Sequence, residues 1–393
     1  MALDISAIQK ALTAEGLDGW LLYDFHGSNP IAASLTGMSA SPKMTTRRWY
    51  YLIPSKGEPK ALVHAIERHN LDALPGPKTP YSGRAQLEQG LKDLLAGCRR
   101  VAMEYSPNCA IPYVSRVDAG TVDAVRHLGV EVVSSGDLAQ RFEAVWPERA
   151  LQTHRVASDA LYRIKDRAFA MVRDAFRARR SLTELDVQRE MVRWFDEEGL
   201  VSDSAPIVAA QENAGNPHYA PTEGTFRRIG ADEILLLDLW GKTKEPGAVF
   251  ADITWVGFTG ARVPEEYARA FAAARDGRDA AIALVQEAAR GGRALHGWEV
   301  DRTCRQVIER AGFGRYFIHR TGHSLGETVH GNGVHMDDYE THDERRLIPG
   351  TGFTIEPGVY TDTFGVRTEI NMYVGERDAT VTGPTQTEIV TLG

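Results

Sequence analysis

The sequence has few cysteines and no long hydrophobic run. Cys98, Cys109 and Cys304 are odd in number and widely spaced, so they form neither a disulfide framework nor a zinc ribbon. No apolar segment approaches the ~20 residues that span a bilayer, and the N-terminus lacks the basic and apolar regions of a signal peptide. We therefore expect a cytoplasmic protein in a reducing environment, without a membrane partner.

The sequence also lacks the excess of positive charge that favours binding to nucleic acid. Its 393 residues carry a formal net charge of -8. The hydrophobic fraction of 43% and the charged fraction of 25% are typical of a folded globular protein. The length of the chain predicts two domains. Its net negative charge predicts that it has no nucleic-acid partner.

Residues 1–150 alternate between strand and helix patterns, which is typical of an α/β domain. Strands are predicted at 19–23, 49–53, 61–65, 101–104 and 130–133, and helices at 5–15, 86–96 and 115–128. Residues 24–48 are expected to be irregular, since they are rich in glycine, serine and proline. The polar segment 147–158 lacks a clear period, so the domain boundary is predicted there.

Residues 151–393 begin with helical patterns and end in strands and turns, which predicts an α+β domain. Helices are predicted at 158–199, 264–290 and 298–312, and strands at 205–210, 234–240, 249–258 and within 316–392. Two of these strands each carry one aspartate, Asp238 and Asp252, among apolar residues.

An aspartate in the middle of an apolar strand needs an explanation, because burying a carboxylate costs several kcal/mol without compensation. Either aspartate alone is compatible with a turn cap or with a pair to an arginine. Two neighbouring strands would instead place Asp238 and Asp252 on one face. That arrangement indicates a shared site.

Histidines and further carboxylates follow in the same domain. His319, His323 and His330 are closely spaced, and Glu356 and Glu369 each lie in an apolar, β-branched run. Sets of four carboxylates and one imidazole suit hard divalent ions such as Mn²⁺, with Co²⁺ and Zn²⁺ as possible substitutes. Four negative charges are too many for one ion, which predicts a pair of metal ions. The candidate ligands are Asp238, Asp252, His323, Glu356 and Glu369.

The order of these motifs resembles the pita-bread metallopeptidases, which include prolidase, aminopeptidase P, creatinase and methionine aminopeptidase. The matching motifs are the two aspartates, Gly-His-x-x-Gly at 322–326, Glu-Pro-Gly at 356–358 and Arg-x-Glu at 367–369. The resemblance covers residues from about 160 to the end. The preceding α/β domain looks like the creatinase-type N-terminal domain of the prolidase and aminopeptidase P branch, which methionine aminopeptidases lack. The resemblance implies a creatinase-type N-terminal domain at 1–150 and a pita-bread catalytic domain at 151–393. It also implies a homodimer.

The resemblance also implies roles for individual residues. The five candidate ligands match the metal ligands of the family. The chemistry of the reaction makes Glu356 the best candidate to accept the proton of water while holding a metal. Further roles are implied for His218 in catalysis on the substrate side, His330 at the scissile carbonyl and Tyr360 in proton transfer. His319 and Arg367 match residues that brace either the substrate or the groups around the ligands. The proton for the departing prolyl nitrogen is expected from Tyr360 or from a glutamic acid. One departure is the thirteen residues between Asp238 and Asp252, where the family usually has fewer. The extra residues are expected at 242–247, where Pro246-Gly247 predicts a turn.

The implied reaction is hydrolysis of an Xaa-Pro bond by a metal-bridging hydroxide. This bond is a tertiary amide without an N–H, so a protease cannot grip it by that group. Metal coordination lowers the pKa of water from about 15.7 towards 7 and provides a nucleophile that needs no such grip. The expected substrate is a small peptide with proline second, cleaved by an Xaa-Pro dipeptidase (prolidase) or by an aminopeptidase P.

Other functions on the same fold are weighed against this one. A creatinase-like or a non-catalytic member of the fold is expected to have lost metal ligands. All five candidate metal ligands are present in this sequence. Phosphotriester hydrolysis at the same pair of metals stays open.

A dipeptidase must also recognise the free carboxylate that follows proline, which favours a fixed arginine. The loop 24–48 ends in Arg47 and Arg48. Glycine-rich and serine-rich loops often act as binding flaps, so we hypothesise that Arg47 or Arg48 closes over the site and selects dipeptides. The alternative is an exposed basic pair beside an edge strand.

Overall fold

The computed structural model of the protein describes residues 3–39 and 44–393. It divides into two units, Met1–Glu143 and Ala144–Gly393. The division lies shortly before the boundary near residue 150 expected from the sequence, and the domain assignment itself stays a prediction. No helix within the described ranges combines the length and the apolar character that a membrane span requires.

The first unit is built on a six-stranded sheet flanked by helices. Its strands are β1 (Gly19–Asp24), β2 (Trp49–Pro54), β3 (Lys60–His64), β4 (Lys78–Tyr81), β5 (Arg100–Met103) and β6 (Glu131–Ser134). Its helices are α1 (Ile5–Ala14), α2 (Pro30–Leu35), α3 (Arg84–Leu94), α4 (Ala119–His127) and α5 (Gly136–Glu143). The strand order is β4-β3-β2-β1-β5-β6. Every residue of β1 is buried, because its side chains alternate between hydrophobic clusters on the two faces of the sheet.

The expectation of an irregular segment at 24–48 is wrong at Pro30–Leu35, which forms α2. Asn29 caps this helix by accepting a hydrogen bond from the Ala32 N–H at 3.0 Å, and Pro30 occupies its first turn. These start signals outweighed the surrounding turn-forming residues. Ser41 and Pro42 of the same segment lie outside the described residues.

The second unit combines long helices with three groups of strands. The helices are α6 (Glu148–Arg177), α7 (Glu184–Glu197), α8 (Glu265–Gly291) and α9 (Gly297–Arg310). The strands are β7 (Leu200–Val201), β8 (Ile207–Ala210), β9 (Ile234–Thr243), β10 (Ala251–Phe258), β11 (Ser324–Leu325), β12 (Gly352–Ile355), β13 (Gly358–Tyr360), β14 (Gly365–Arg367), β15 (Ile370–Val374), β16 (Ala379–Val381) and β17 (Val390–Thr391). They form a sheet of order β17-β10-β9-β7, with β8 on β9, a sheet of order β11-β12-β15-β16, and the pair β13-β14.

Both faces of the β9–β10 hairpin are covered, which explains its nearly continuous apolar sequence. Leu237, Leu239 and Ile253 face the core formed with α6 and α7. The residues between them in each strand point to the opposite face. Asp238 and Asp252 occupy that second face.

Helix α6 begins at Glu148, about ten residues before the start expected from the sequence. Its early turns bury polar side chains, including Thr153, His154 and Ser158. His154 is satisfied by the Phe250 carbonyl at 2.8 Å and by Thr382 Oγ1 at 2.7 Å. The helical period was hidden because polar residues at buried positions look like exposed ones in the sequence.

Candidate metal centre

The hairpin of β9 and β10 places two aspartates side by side. In the antiparallel register Asp238 lies opposite Thr254, and Asp252 lies opposite Trp240. Opposed residues share a face, so both aspartates point the same way, as the sequence predicted. The predicted turn at Pro246-Gly247 is also confirmed, with Gly247 at φ +73° and the Ala248 N–H donating to the Glu245 carbonyl at 3.2 Å.

The remaining candidate ligands reach this face from the end of the chain. His323 precedes β11, Glu356 follows β12, and Glu369 lies between β14 and β15. One ligand atom each from Asp252, His323 and Glu369 lie within 4.8 Å of one another. His323 Nε2 is 3.5 Å from both Asp252 Oδ2 and Glu356 Oε1. The fold thus gathers these four side chains around one space.

Two observations indicate that these candidate ligands suit divalent cations. Asp252 Oδ1 and Glu369 Oε1 are buried and have no hydrogen-bond partner among the described residues. The His323 Nδ1–H donates to the Ser324 carbonyl at 3.1 Å, which leaves the lone pair of Nε2 facing carboxylate oxygens. Buried lone pairs that face one another are unfavourable unless a cation lies between them.

The pKa values of the buried carboxylates also indicate a site for cations. Burial, then the charges of Asp238 and Glu356, raise the pKa of Asp252 well above its ordinary value. Burial, then the charges of Asp252 and Glu356, do the same to the pKa of Glu369. These carboxylates therefore need positive charge to be ionised together at neutral pH.

Arg367 supplies part of that positive charge to three neighbours. Its Nη2 donates to Asp238 Oδ2, its Nη1 to the Tyr360 hydroxyl at 3.0 Å, and its Nε to Thr254 Oγ1 at 2.9 Å. Asp238 thus has the arginine partner that was considered as an alternative to a metal role. Since all three guanidinium nitrogens are engaged with protein groups, Arg367 braces the site, and a direct contact with substrate stays a prediction.

Tyr360 and His319 form a hydrogen-bonded pair beside Arg367. The Tyr360 hydroxyl lies 2.7 Å from His319 Nε2, and His319 Nδ1 lies 2.7 Å from the Arg320 carbonyl. The carbonyl can only accept, so Nδ1 carries the hydrogen and Nε2 accepts from Tyr360. Burial, then the charge of Arg367, lowers the pKa of His319 to about 3. Burial raises the pKa of Tyr360 despite Arg367, so both groups are neutral at pH 7.

His330 and His218 are the most exposed of the predicted site residues in this unit. The His330 ring packs edge-on against His323 with 4.3 Å between centroids. Partial burial, then the charges of His323, Arg320 and His218, lower the pKa of His330. The two exposed histidines are thus close enough to interact electrostatically, and His330 adjoins the ligand set directly.

Three supporting residues were missed by the sequence analysis. Thr254 Oγ1 donates to Glu369 Oε2 at 2.7 Å, and Thr354 Oγ1 donates to Glu356 Oε1 at 3.3 Å. Asn371 accepts from the Asp252 N–H at 3.0 Å and donates to the Asp252 carbonyl. Each is two positions from a candidate ligand in the sequence, so the strand period could have flagged all three.

Arg47 and Arg48 belong to the first unit and are exposed. The backbone there is anchored, because Glu67 accepts from the N–H groups of Thr46 at 2.8 Å and Arg47 at 3.2 Å. Their part in selecting dipeptides stays a prediction.

The chain matches the model of an enzyme family and is similar to curated proteins. The model of metallopeptidase family M24 matches residues 153–376. The Xaa-Pro dipeptidase of Lactobacillus helveticus is 30% identical over 226 residues, which cover 57% of this chain and 55% of that relative. The match thus spans little more than half the length of the curated relative.

Solved structures match over nearly the whole chain. Dipeptidase PepE from Mycobacterium ulcerans aligns with a TM-score of 0.71 and 21% identity, covering 99% of this chain and 96% of that one. A prolidase from Thermococcus sibiricus aligns with a TM-score of 0.63 and 20% identity, covering 100% and 99%. At these identities the likeness shows the fold. The expected α/β N-terminal domain followed by a pita-bread α+β domain is confirmed.

Proposed function

Because the chain belongs to metallopeptidase family M24, we propose that it is a metal-dependent exopeptidase that hydrolyses Xaa-Pro dipeptides. The strongest support is the convergence of Asp252, His323 and Glu369, with two buried carboxylate oxygens left without a protein partner. A peptide whose second residue is proline is the proposed substrate.

Asp238, Asp252, His323, Glu356 and Glu369 would hold two divalent ions. Oxygen-rich sets with one imidazole suit Mn²⁺, and Co²⁺ or Zn²⁺ are possible substitutes. When bound, such ions lower the pKa of water and polarise the substrate carbonyl. The homodimer and the cytoplasmic location expected from the sequence stay predictions.

Glu356 is assigned as the acceptor of the proton from the attacking water. Its side chain is 16% exposed, against 7% for Asp252, so it is the more accessible of the two carboxylates around His323. Thr354 holds one of its oxygens at 3.3 Å. An oriented carboxylate at the accessible side of the site is suited to general-base work.

His330 is assigned to the carbonyl oxygen of the scissile bond. It adjoins His323 and is exposed, so a bound peptide can reach it. A neutral imidazole with an N–H donates a hydrogen bond to the negative charge that develops on that oxygen. His218, on the same exposed side, is assigned to contact the substrate.

Tyr360 is assigned to supply the proton that the departing prolyl nitrogen requires. Its raised pKa keeps the hydroxyl protonated, and Arg367 and His319 hold its oxygen in place. His319 Nε2 accepts a hydrogen bond from this hydroxyl and so fixes its orientation.

Peptide length separates the proposed dipeptidase from aminopeptidase P, because the residues named above serve either activity. The test is cleavage of Ala-Pro and Ala-Pro-Gly by protein stripped with chelator and reloaded with Mn²⁺, Co²⁺ or Zn²⁺, with bound metal measured by mass spectrometry. We expect metal-dependent cleavage of Ala-Pro alone. Cleavage of both peptides would favour aminopeptidase P, and activity that persists without metal would overturn the proposal.

A further inference from the structure

A cavity of about 900 Å³ lies within the first unit. It is lined by residues of β1 and β4, by the start of α3, and by the segment that leads into α4. Four arginines line it, namely Arg47, Arg48, Arg84 and Arg116. Its lining consists of residues of the first unit and includes none of the candidate metal ligands. We refer to it as the arginine cleft.

The arginines of this cleft are weakly neutralised. Among the described residues, Arg48 and Arg116 have no carboxylate partner, and Arg116 Nε donates to the Tyr113 carbonyl at 3.0 Å. Arg84 lies 3.6 Å from Glu88, but both side chains are largely exposed, and such surface pairs contribute little. The cleft therefore contains guanidinium groups without a strong carboxylate partner, in a protein whose net charge is -8.

One carboxylate lines the cleft, and it is already engaged. Asp118 caps α4 by accepting from the Thr121 N–H at 2.9 Å and from the Thr121 hydroxyl at 2.8 Å. It also accepts from the Tyr23 hydroxyl at 3.1 Å. These hydrogen bonds lower the pKa of Asp118 against the effect of burial, so it stays ionised. Glu67 beside Arg47 and Glu88 beside Arg84 lie outside the lining, so the four arginines face three carboxylates in all and keep a modest positive surplus.

Other donors and an aromatic face complete the cleft wall. Ser82 and Gly83 bring the N-terminus of α3 to the cavity, where the helix dipole favours an anion. Ser28 and Ser115 add hydroxyl groups. Phe25 lines the cavity and is 43% exposed, and its ring also contacts the His26 ring with 4.5 Å between centroids.

We propose that the arginine cleft binds a small organic phosphate. Guanidinium groups match phosphate oxygens in bidentate hydrogen bonds, and a helix N-terminus adds affinity for the same group. The cavity volume falls within the range of sites for small-molecule ligands. The exposed Phe25 ring favours an aromatic or sugar moiety attached to the phosphate. This inference shares Arg47 and Arg48 with the proposed selection of dipeptides, whereas Arg84 and Arg116 belong to the cleft alone.

The test is isothermal titration calorimetry of the full-length, metal-loaded protein with ADP, pyrophosphate, adenosine and citrate. ADP and pyrophosphate should bind, and adenosine should bind far more weakly because it lacks the charge. Arg48→Gln and Arg116→Gln should each weaken ADP binding by roughly tenfold, the loss of one charge-assisted contact. Arg99→Gln, an exposed arginine that does not line the cleft, is the matched control and should keep the affinity.

Phosphates also bind metal ions, so Glu369→Gln is titrated in parallel and should keep its affinity for ADP. Loss of ADP binding in Glu369→Gln together with retention in Arg116→Gln would place the ligand at the metal centre and overturn the inference. Citrate binding in preference to ADP, or no ADP binding by the unmutated protein, would overturn it as well. Thermal unfolding of each variant checks that the fold is intact, and Arg116→Lys should recover part of the affinity if charge is what matters.

Discussion

Thr254 links Arg367 to Glu369 through one hydroxyl group. Its Oγ1 donates to Glu369 Oε2 at 2.7 Å and accepts from Arg367 Nε at 2.9 Å. The hydrogen bond occupies one oxygen of Glu369, and the oxygen without a partner is Oε1. A buried threonine thus orients a candidate metal ligand and its nearest cation together.

Thr254→Val should weaken metal binding or lower kcat by roughly 10–100-fold, the usual effect of losing a partner that orients a ligand. Valine has nearly the same shape, so the effect reports on the hydroxyl group. Metal titration followed by mass spectrometry and a peptidase assay measures it. Thr254→Ser keeps the hydroxyl and should restore most of both properties. Equal losses in the two variants would show that Thr254 acts through packing.

Asp252→Asn and Glu369→Gln should each reduce activity by more than about 100-fold, because loss of a ligand charge exceeds the effect of losing an orienting neighbour. Bound metal should fall as well. Asp362→Asn, at an exposed position outside the site, is the control and should behave as the unmutated protein. Near-normal turnover of either ligand variant at saturating metal would show that the assigned ligand set is wrong.

His330→Ala should lower kcat by roughly 10²–10³-fold with a modest change in KM, as for the loss of one oxyanion donor. Its bound metal should not change, since the ring packs beside His323 without sharing its ligand position. Steady-state kinetics and metal analysis measure both. Loss of metal would place His330 among the ligands, and an unchanged rate would reduce it to a packing residue.

His154 should make the protein less stable in acid. Burial lowers its pKa from 6.5 to about 4, despite the hydrogen bond with the Phe250 carbonyl. Between these pH values the unfolded chain binds a proton that the folded protein does not. The contribution of His154 is therefore present above pH 6.5 and is lost as pH falls towards 4, which amounts to about 3 kcal/mol.

Urea unfolding of the metal-free protein at several pH values measures this slope. His154→Gln cannot titrate, so its free energy of unfolding should fall less between pH 7 and pH 4 than that of the unmutated protein. Identical slopes in the two proteins would assign the acid sensitivity to other groups.

Arg47→Ala or Arg48→Ala should raise KM for Ala-Pro much more than KM for amidated Ala-Pro, if one of these arginines recognises the free carboxylate. Kinetics with both peptides measure the difference. Arg116→Ala, which changes the arginine cleft alone, serves as the comparison. Equal effects on the two peptides would remove both arginines from dipeptide selection.

The sequence by itself determined the elements that carry the site. The strand period placed Asp238 and Asp252 on one face of a hairpin, and Pro246-Gly247 marked its turn. These are local properties, because side-chain direction in a strand and turn formation depend on neighbouring residues. Local signals failed where a polar side chain is buried, as at His154 in α6.

Only the tertiary structure decided how distant side chains meet. Arg367 and Asp238 are 129 positions apart, yet they are in contact, and Thr254 reaches Glu369 across 115 positions. The arginine cleft likewise combines residues from separate loops and helix ends. A one-dimensional pattern shows which residues carry charge or hydroxyl groups, but their partners are set by packing of the sheets, which brings buried donors and acceptors within hydrogen-bond distance.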